Sequence, residues 1–295
     1  MKKIALLNPS SPSYTPYDID KITAWFKKVG FDSLIMPNAF ASDRFLAGSD
    51  AMRASDIMQA FTTPEIDAIC ALRGGYGSAR TLDLLDFKQI AKNKKLLIGF
   101  SDTTALQLAL WARAGLPSLT GLSPKRDIAG KEQMDSLLQN TLAQALAKGQ
   151  ASFDLTPLHA DQPNVTGTLV GGTLTLLEEL IGTPYMPELN DAILFIEDVC
   201  EEPYKIDRML THLRLAGALN KIKALVFGDF YKCISEDKND GTMDQLIADW
   251  ASQYPCTPMW WGLPYGHSDH RAVLPIGTIA QIADNKLTVR YDLGL

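Results

Sequence analysis

The sequence predicts an α/β protein: an N-terminal, doubly wound, mostly parallel sheet of Rossmann-like type, followed by a second α/β domain with a mixed or barrel-like sheet. Three observations predict it. Through the first 150 residues, short apolar runs alternate with segments of helical spacing, the pattern of a parallel sheet covered by helices. The runs Ile66–Leu72 and Leu96–Ile98 are apolar almost throughout rather than alternating, as strands buried on both faces require. This order lapses over residues 149–164, which contain Pro157 and Pro163, and resumes at Thr166. Domains are therefore expected at residues 1–150 and 165–295.

The elements follow in order. Lys3–Leu7 reads as a strand that ends in a polar turn at Asn8-Pro9. Asp18–Val29 reads as a helix with Ile22, Trp25 and Phe26 on one face and Gly30 as its stop. A short strand at Ser33–Met36 and a helix at Asp50–Phe61 come next, and Thr63-Pro64 ends that helix. Ile66–Leu72 runs straight into Arg73-Gly74-Gly75-Tyr76-Gly77-Ser78, after which a helix is expected to carry Leu82, Leu84 and Leu85. Leu96–Ile98 ends at Gly99, and Ala105, Leu108, Ala109 and Ala112 then recur at helical intervals. A Leu- and Ala-rich helix at Gln133–Lys148 closes the first half.

In the second half, Thr166–Val170 is a strand and Gly171-Gly172-Thr173-Leu174 opens a helix to Leu180. Ala192–Ile196 is a strand ending on Glu197-Asp198, and Pro203–Leu215 is a helix with Ile206, Met209, Leu210 and Leu213 in one stripe. Ala224–Phe227 and Met243–Trp250 repeat the alternation. Pro258–Trp261 leads into a loop ending at Gly266-His267, and strands at Thr278–Ile282 and Lys286–Tyr291 finish the chain.

Composition narrows the function classes. The chain has 295 residues, 46% of them hydrophobic and 21% charged, which is ordinary for a soluble globular protein with a substantial core. A net charge of −6 argues against non-specific binding to nucleic acid or to an anionic membrane. No apolar run approaches the roughly 20 residues that span a bilayer. The N-terminal run stops at Asn8-Pro9, short of the h-region of about 7–15 residues in a secretory signal. Cys70, Cys200, Cys233 and Cys256 form no C-x-x-C pair, which suits reduced thiols in the cytoplasm and supports no zinc site.

Ser101 falls at a strand-to-helix corner. A hydroxyl there is presented beside unpaired backbone N–H groups, the geometry of a nucleophilic serine, although the usual G-x-S-x-G elbow has Thr103 at its last position. A helix cap is the alternative use of the same serine, and Asp102, Thr103 and Thr104 are also placed to cap. The Gly74–Gly77 loop lacks both the dinucleotide fingerprint and the P-loop lysine. It is compatible with a tight turn, a phosphate cradle or an oxyanion loop facing Ser101. Glu197, at the end of an apolar strand, is costly without a partner, and His267 sits in a polar loop. Ser101, Glu197 and His267 supply nucleophile, orienting acid and base in the chain order that α/β-hydrolases also use. A capping role for Glu197 and a surface role for His267 are the alternatives.

Five motifs in fixed order carry a resemblance: Arg73–Ser78, Gly99-Phe100-Ser101-Asp102, Gly171-Gly172-Thr173-Leu174, Ile196-Glu197-Asp198 and Gly266-His267. Their order resembles that of the LD-carboxypeptidases, and the likeness extends over almost the whole chain. The resemblance implies a serine peptidase that hydrolyses the L,D-bond between meso-diaminopimelate and the terminal D-alanine of murein tetrapeptide in peptidoglycan recycling. It puts the nucleophile on Ser101, the acid on Glu197 and the base on His267, with oxyanion donors at the N–H of Asp102 and of Gly75. Substrate contacts are expected at Arg73, Tyr76 and Thr173, and Arg208 is a further cation considered for the substrate's free carboxylate. A cytoplasmic homodimer without cofactor is implied. Two positions depart from the family pattern: Phe100, where tyrosine is frequent, and Thr173, where asparagine is usual. The competing readings are a microcin C immunity-type serine peptidase that cleaves a peptide–nucleotide amide, and a non-catalytic peptide- or nucleotide-binding module built on the glycine loop.

Overall fold

A computed structural model describes residues 1–13 and 16–295. The first half runs β1 (Lys2–Leu7), α1 (Pro16–Lys28), β2 (Phe31–Ile35), α2 (Asp50–Thr62), β3 (Ala68–Ala71), α3 (Phe87–Lys92), β4 (Leu96–Gly99), α4 (Thr104–Ala114), β5 (Ser118–Thr120) and α5 (Ser136–Leu146). The second half runs β6 (Gln150–Asp154), β7 (Thr156–Pro157), β8 (Val165–Thr173), α6 (Leu174–Glu179), β9 (Ala192–Val199), α7 (Pro203–Leu215), β10 (Ala224–Tyr231), α8 (Met243–Gln253), β11 (Met259–Gly266), β12 (Leu274–Ile276), β13 (Thr278–Ala283) and β14 (Lys286–Arg290).

Two sheets organise these elements, as the alternation of apolar runs and helices predicts. The first has the order β12-β5-β4-β3-β1-β2, and its strands pair in parallel except for β12, which runs antiparallel to β5. β3 and β5 are buried throughout and β4 nearly so, which is why their sequences read as unbroken apolar runs. The second sheet, β6-β14-β13-β8-β9-β10-β11-β7, is mixed and nearly closed into a barrel. Its centre, β8 to β11, is parallel, and its flanks are antiparallel.

Several local expectations are corrected. Residues 79–84 form a 3-10 turn instead of an α-helix: Leu82 and Leu85 are three apart and both buried, whereas Leu84 between them is 51% exposed. Residues 274–276 add the strand β12 to the first sheet, a pairing hidden by the strand's brevity and by Pro275. β9 and β10 run past Ile196 and Phe227, and β11 continues through Gly266, so the stretch expected to be a loop before His267 is strand. Residues 149–164, where order seemed to lapse, hold β6 and β7, the two edges of the second sheet.

One buried cation fastens the loops at the carboxyl end of the first sheet. Arg53, 1% exposed on α2, donates through Nη1 to the carbonyls of Pro9 (2.5 Å) and Gly77 (2.6 Å), and through Nη2 to Asp50. It joins the loop after β1 to the glycine loop after β3. Arg53→Ala would take its buried donor from the Pro9 carbonyl, leave the Gly77 carbonyl only the Arg80 N–H at 3.2 Å, and is expected to lower the unfolding free energy by about 3 kcal/mol. The exposed Arg44→Ala should stay within about 0.5 kcal/mol. Urea unfolding midpoints at unchanged slope test this, and equal midpoints for the two variants would refute the fastening role.

Candidate active site

The candidate residues gather where the carboxyl ends of both sheets' parallel strands meet. β4 ends at Gly99, and a 3-10 turn at Ser101–Thr103 leads into α4. Ser101 has φ +62°, a left-handed conformation that costs a non-glycine residue about 1 kcal/mol and turns its side chain out of the chain's run. The backbone of Gly74 lies against this turn. A Cβ on Gly74 would come within 2.9 Å of Ser101 Cβ and 3.1 Å of the Asp102 nitrogen, so only glycine permits the approach.

Asp102 fixes the loop to the turn. Its buried carboxylate accepts the backbone N–H of Gly77 (3.0 Å) and of Ser78 (2.8 Å) as well as the Ser10 hydroxyl, while Ser78 Oγ donates to the Asp102 carbonyl (2.5 Å). The expectation that Asp102 caps the following helix is corrected: no side chain caps the 3-10 turn or α4. The N–H groups of Gly75 and Asp102 enter no turn, cap or ladder hydrogen bond among the described residues.

From the other sheet come the acid and the imidazole. His267 follows β11 directly, and its Nε2 lies 2.9 Å from Ser101 Oγ. Its Nδ1 lies 2.7 Å from Glu197 Oε2. Glu197 has no solvent exposure, and its second oxygen, Oε1, accepts the Thr173 hydroxyl at 2.6 Å. The Thr173 N–H in turn donates to Thr104 Oγ1 at 3.3 Å, on the helix that starts just after Ser101. A continuous series of polar contacts thus leaves the serine, passes through imidazole and carboxylate, and returns to the serine's own helix. A proton on Nδ1 held by the carboxylate leaves Nε2 free to accept the serine proton, which is what activates a hydroxyl for attack on a carbonyl.

The imidazole is also braced from its flanks. The Phe100 ring stands 4.6 Å from the His267 ring, and the Arg271 guanidinium lies 4.6 Å from the Phe100 centroid. Arg271 is fully buried, donating to the carbonyls of Gly121 and Ser268 and to Asp127. Arg126 donates to the His267 carbonyl at 2.5 Å. Behind the acid, burial and then the Glu197 charge push Asp198 up to about 6, against hydrogen bonds from Thr175 and Val199.

A cavity of about 350 Å³ opens at Ser101, lined by Arg73, Gly74, Gly75, Phe100, Ser101, Ser123, Lys125, Arg126 and His267. Two expected substrate contacts lie elsewhere. Tyr76 is 47% exposed, with its ring on Phe45 and its N–H on Ser11 Oγ, and it is not part of this lining. Thr173 is buried with its hydroxyl committed to Glu197. Arg208 is exposed on α7 and does not line the cavity either. Lys125 and Arg126 lie outside the contacts expected from the sequence, although two adjacent cations shortly after a buried strand on the ligand side of a doubly wound sheet are a readable signal. Among the described residues no group of three histidine, cysteine or acidic side chains is arranged to hold a metal, and no helix is long and apolar enough to cross a membrane.

Comparison with known proteins gives the family. Residues 4–121 match the model of the LD-carboxypeptidase N-terminal domain, and residues 166–282 match that of the C-terminal domain. The chain belongs to the LD-carboxypeptidase family. Among LD-carboxypeptidase relatives, the murein tetrapeptide carboxypeptidase of Pseudomonas aeruginosa is 30% identical over 97% of this chain and 94% of its own. The crystal structure of muramoyltetrapeptide carboxypeptidase from Oxalobacter formigenes superposes with a TM-score of 0.86 at 32% identity, covering 97% of each chain. The microcin C7 self immunity protein MccF, solved in complex with aspartyl sulfamoyl adenosine, shares the fold at 20% identity and a TM-score of 0.86, over 98% of this chain and 96% of its own.

Thr173→Val removes one hydroxyl from a buried carboxylate and keeps the side chain's shape. Leaving Glu197 Oε1 unpaired costs about 1–3 kcal/mol, which predicts a kcat about 10- to 100-fold lower with KM little changed. Thr173→Ser should restore most of it. Steady-state kinetics on both variants test this, and a Val variant as active as the Ser variant would remove Thr173 from the support of Glu197.

Proposed function

We propose that this protein is a serine carboxypeptidase that hydrolyses the amide between meso-diaminopimelate and the terminal D-alanine of murein tetrapeptide. The observation that carries the reading is the chain of short contacts Glu197–His267–Ser101, ending on a strained serine at the mouth of a cavity. Family membership and the names of the murein-specific relatives support the substrate.

In this reading Ser101 Oγ attacks the diaminopimelate carbonyl while His267 Nε2 takes its proton, and Glu197 stabilises the imidazolium that forms. The oxyanion is received by the N–H groups of Asp102 and Gly75, held in relation to one another by the Asp102 carboxylate. His267 then returns the proton to the departing amine of D-alanine, and water repeats the cycle on the acyl-enzyme to release the tripeptide. Residues 1–150 supply the nucleophile and residues 165–295 the acid and base. The compartment that accords with four free cysteines is the cytoplasm, and the assembly implied by the family is a homodimer.

Mass spectrometry of products from murein tetrapeptide, with wild type and Ser101→Ala, tests the reading. Wild type should release D-alanine, and the variant should be slower by about 10⁴-fold or more. Equal cleavage by both would refute Ser101 as nucleophile. Cleavage of a peptide–nucleotide amide with the tetrapeptide left intact would move the substrate to the microcin type.

A further inference from the structure

An exopeptidase has to recognise the end of its substrate beside the bond it breaks, and the cavity wall here has one sign of charge. Arg73, Lys125 and Arg126 line it, and among the described residues no aspartate or glutamate does, in a chain whose net charge is −6. A low-dielectric cleft lined by cations concentrates the field on an anionic group.

The three cations are differently committed. Arg126 spends Nη2 on the His267 carbonyl and on Asp269, whose carboxylate also takes Lys131. It is part of the frame that holds the imidazole. Arg73 and Lys125 are brought together by backbone. The Lys125 N–H donates to the carbonyl of Leu72, the residue before Arg73, at 2.9 Å. Arg73 Nη1 donates to the Pro12 carbonyl, while Nη2 lies alongside Gly75, 3.5 Å from where a Cβ there would stand. Burial and then the Arg73 charge push the Lys125 ammonium down, against the opposing charge of Asp18.

We propose that Lys125 and Arg73 form the subsite for the substrate's C-terminal carboxylate, and that this subsite makes the reaction an exopeptidase reaction. The proposal rests on Ser101 being the nucleophile. With the scissile carbonyl at Ser101 and its oxyanion at Gly75 and Asp102, the leaving residue's carboxylate lies toward Arg73 Nη2 and Lys125. A carboxylate takes a paired, charge-assisted contact from a guanidinium and a point charge from an ammonium. A C-terminal amide would present an N–H₂ to two cations, so discrimination arises from repulsion as well as from lost attraction.

The test compares the tetrapeptide ending in free D-alanine with the same peptide ending in D-alaninamide. Wild type should favour the acid by at least about tenfold. Lys125→Met should lose about 10- to 100-fold in kcat/KM on the acid, mainly through KM, and little on the amide. Lys125→Arg should keep the preference for the acid, and Arg73→Gln should lose it as Lys125→Met does. Equal losses on acid and amide, or no loss on either, would overturn the subsite while wild-type D-alanine release still upholds the peptidase reading. A wild type that releases nothing from either peptide overturns both.

Discussion

Glu197 has no contact with solvent, and a carboxylate so placed is tolerable only if its oxygens are bonded. Both are, Oε2 to His267 and Oε1 to Thr173, and these two bonds reach into different parts of the molecule. His267 stands at the end of β11 and touches a serine carried by the first sheet. Thr173 ends β8 and is bonded to Thr104 on the helix after that serine. The close packing around the acid follows from the same demand. A Cβ on Gly228 would meet the Tyr265 carbonyl at 2.4 Å and Glu197 Cβ at 3.3 Å, and one on Gly172 would strike Thr104 at 2.6 Å. Strands approach this closely only where side chains are absent, and the approach brings the two sheets within one hydrogen bond of each other.

Burial on both faces made much of the fold legible. Leu96–Ile98 and the helix behind Ser101 stand where periodicity puts them, and Pro203–Leu215 agrees to the residue because proline can open a helix without losing a bond. What periodicity does not register is pairing across long separations. The carboxylate of Asp102 finds its partners 24, 25 and 92 residues away, so its composition reads as a cap and its structure is a staple. Residues 79–84 contain leucines at a spacing that both a 3-10 turn and an α-helix would bury in part, and the exposure of Leu84 decides between them. The Ser101, Glu197 and His267 residue types were readable, but their meeting depends on two sheets being brought together, a contact that lies outside any local pattern.

The two departures from the family pattern acquire physical content. Phe100 gives an apolar ring between the imidazole and the buried Arg271, with no hydroxyl that would need a partner there. At position 173 a short hydroxyl suffices to reach Glu197 at 2.6 Å, and the residue's backbone N–H is used as well. Neither substitution leaves an unpaired polar atom beside the acid. The cavity in front of these residues carries positive charge, and the layer behind them is almost wholly occupied by hydrogen bonds that cross between loops.

The strand β12, which pairs residues 274–276 with β5, has a bearing on when the protein becomes competent during its synthesis. The segment bearing His267 leaves the second sheet at Gly266 and is tied into the first sheet eight residues further on, so it is anchored at both ends only once residues near 276 have been made. The serine turn, by contrast, is complete after roughly the first third of the chain. A ribosome adding about 5–20 residues per second therefore exposes the serine corner for many seconds before its imidazole exists. Throughout that interval the Ser101 hydroxyl has no imidazole beside it. The contact between Ser101 and His267 is therefore held at both ends only late, after the strand that closes the first sheet's edge has been made.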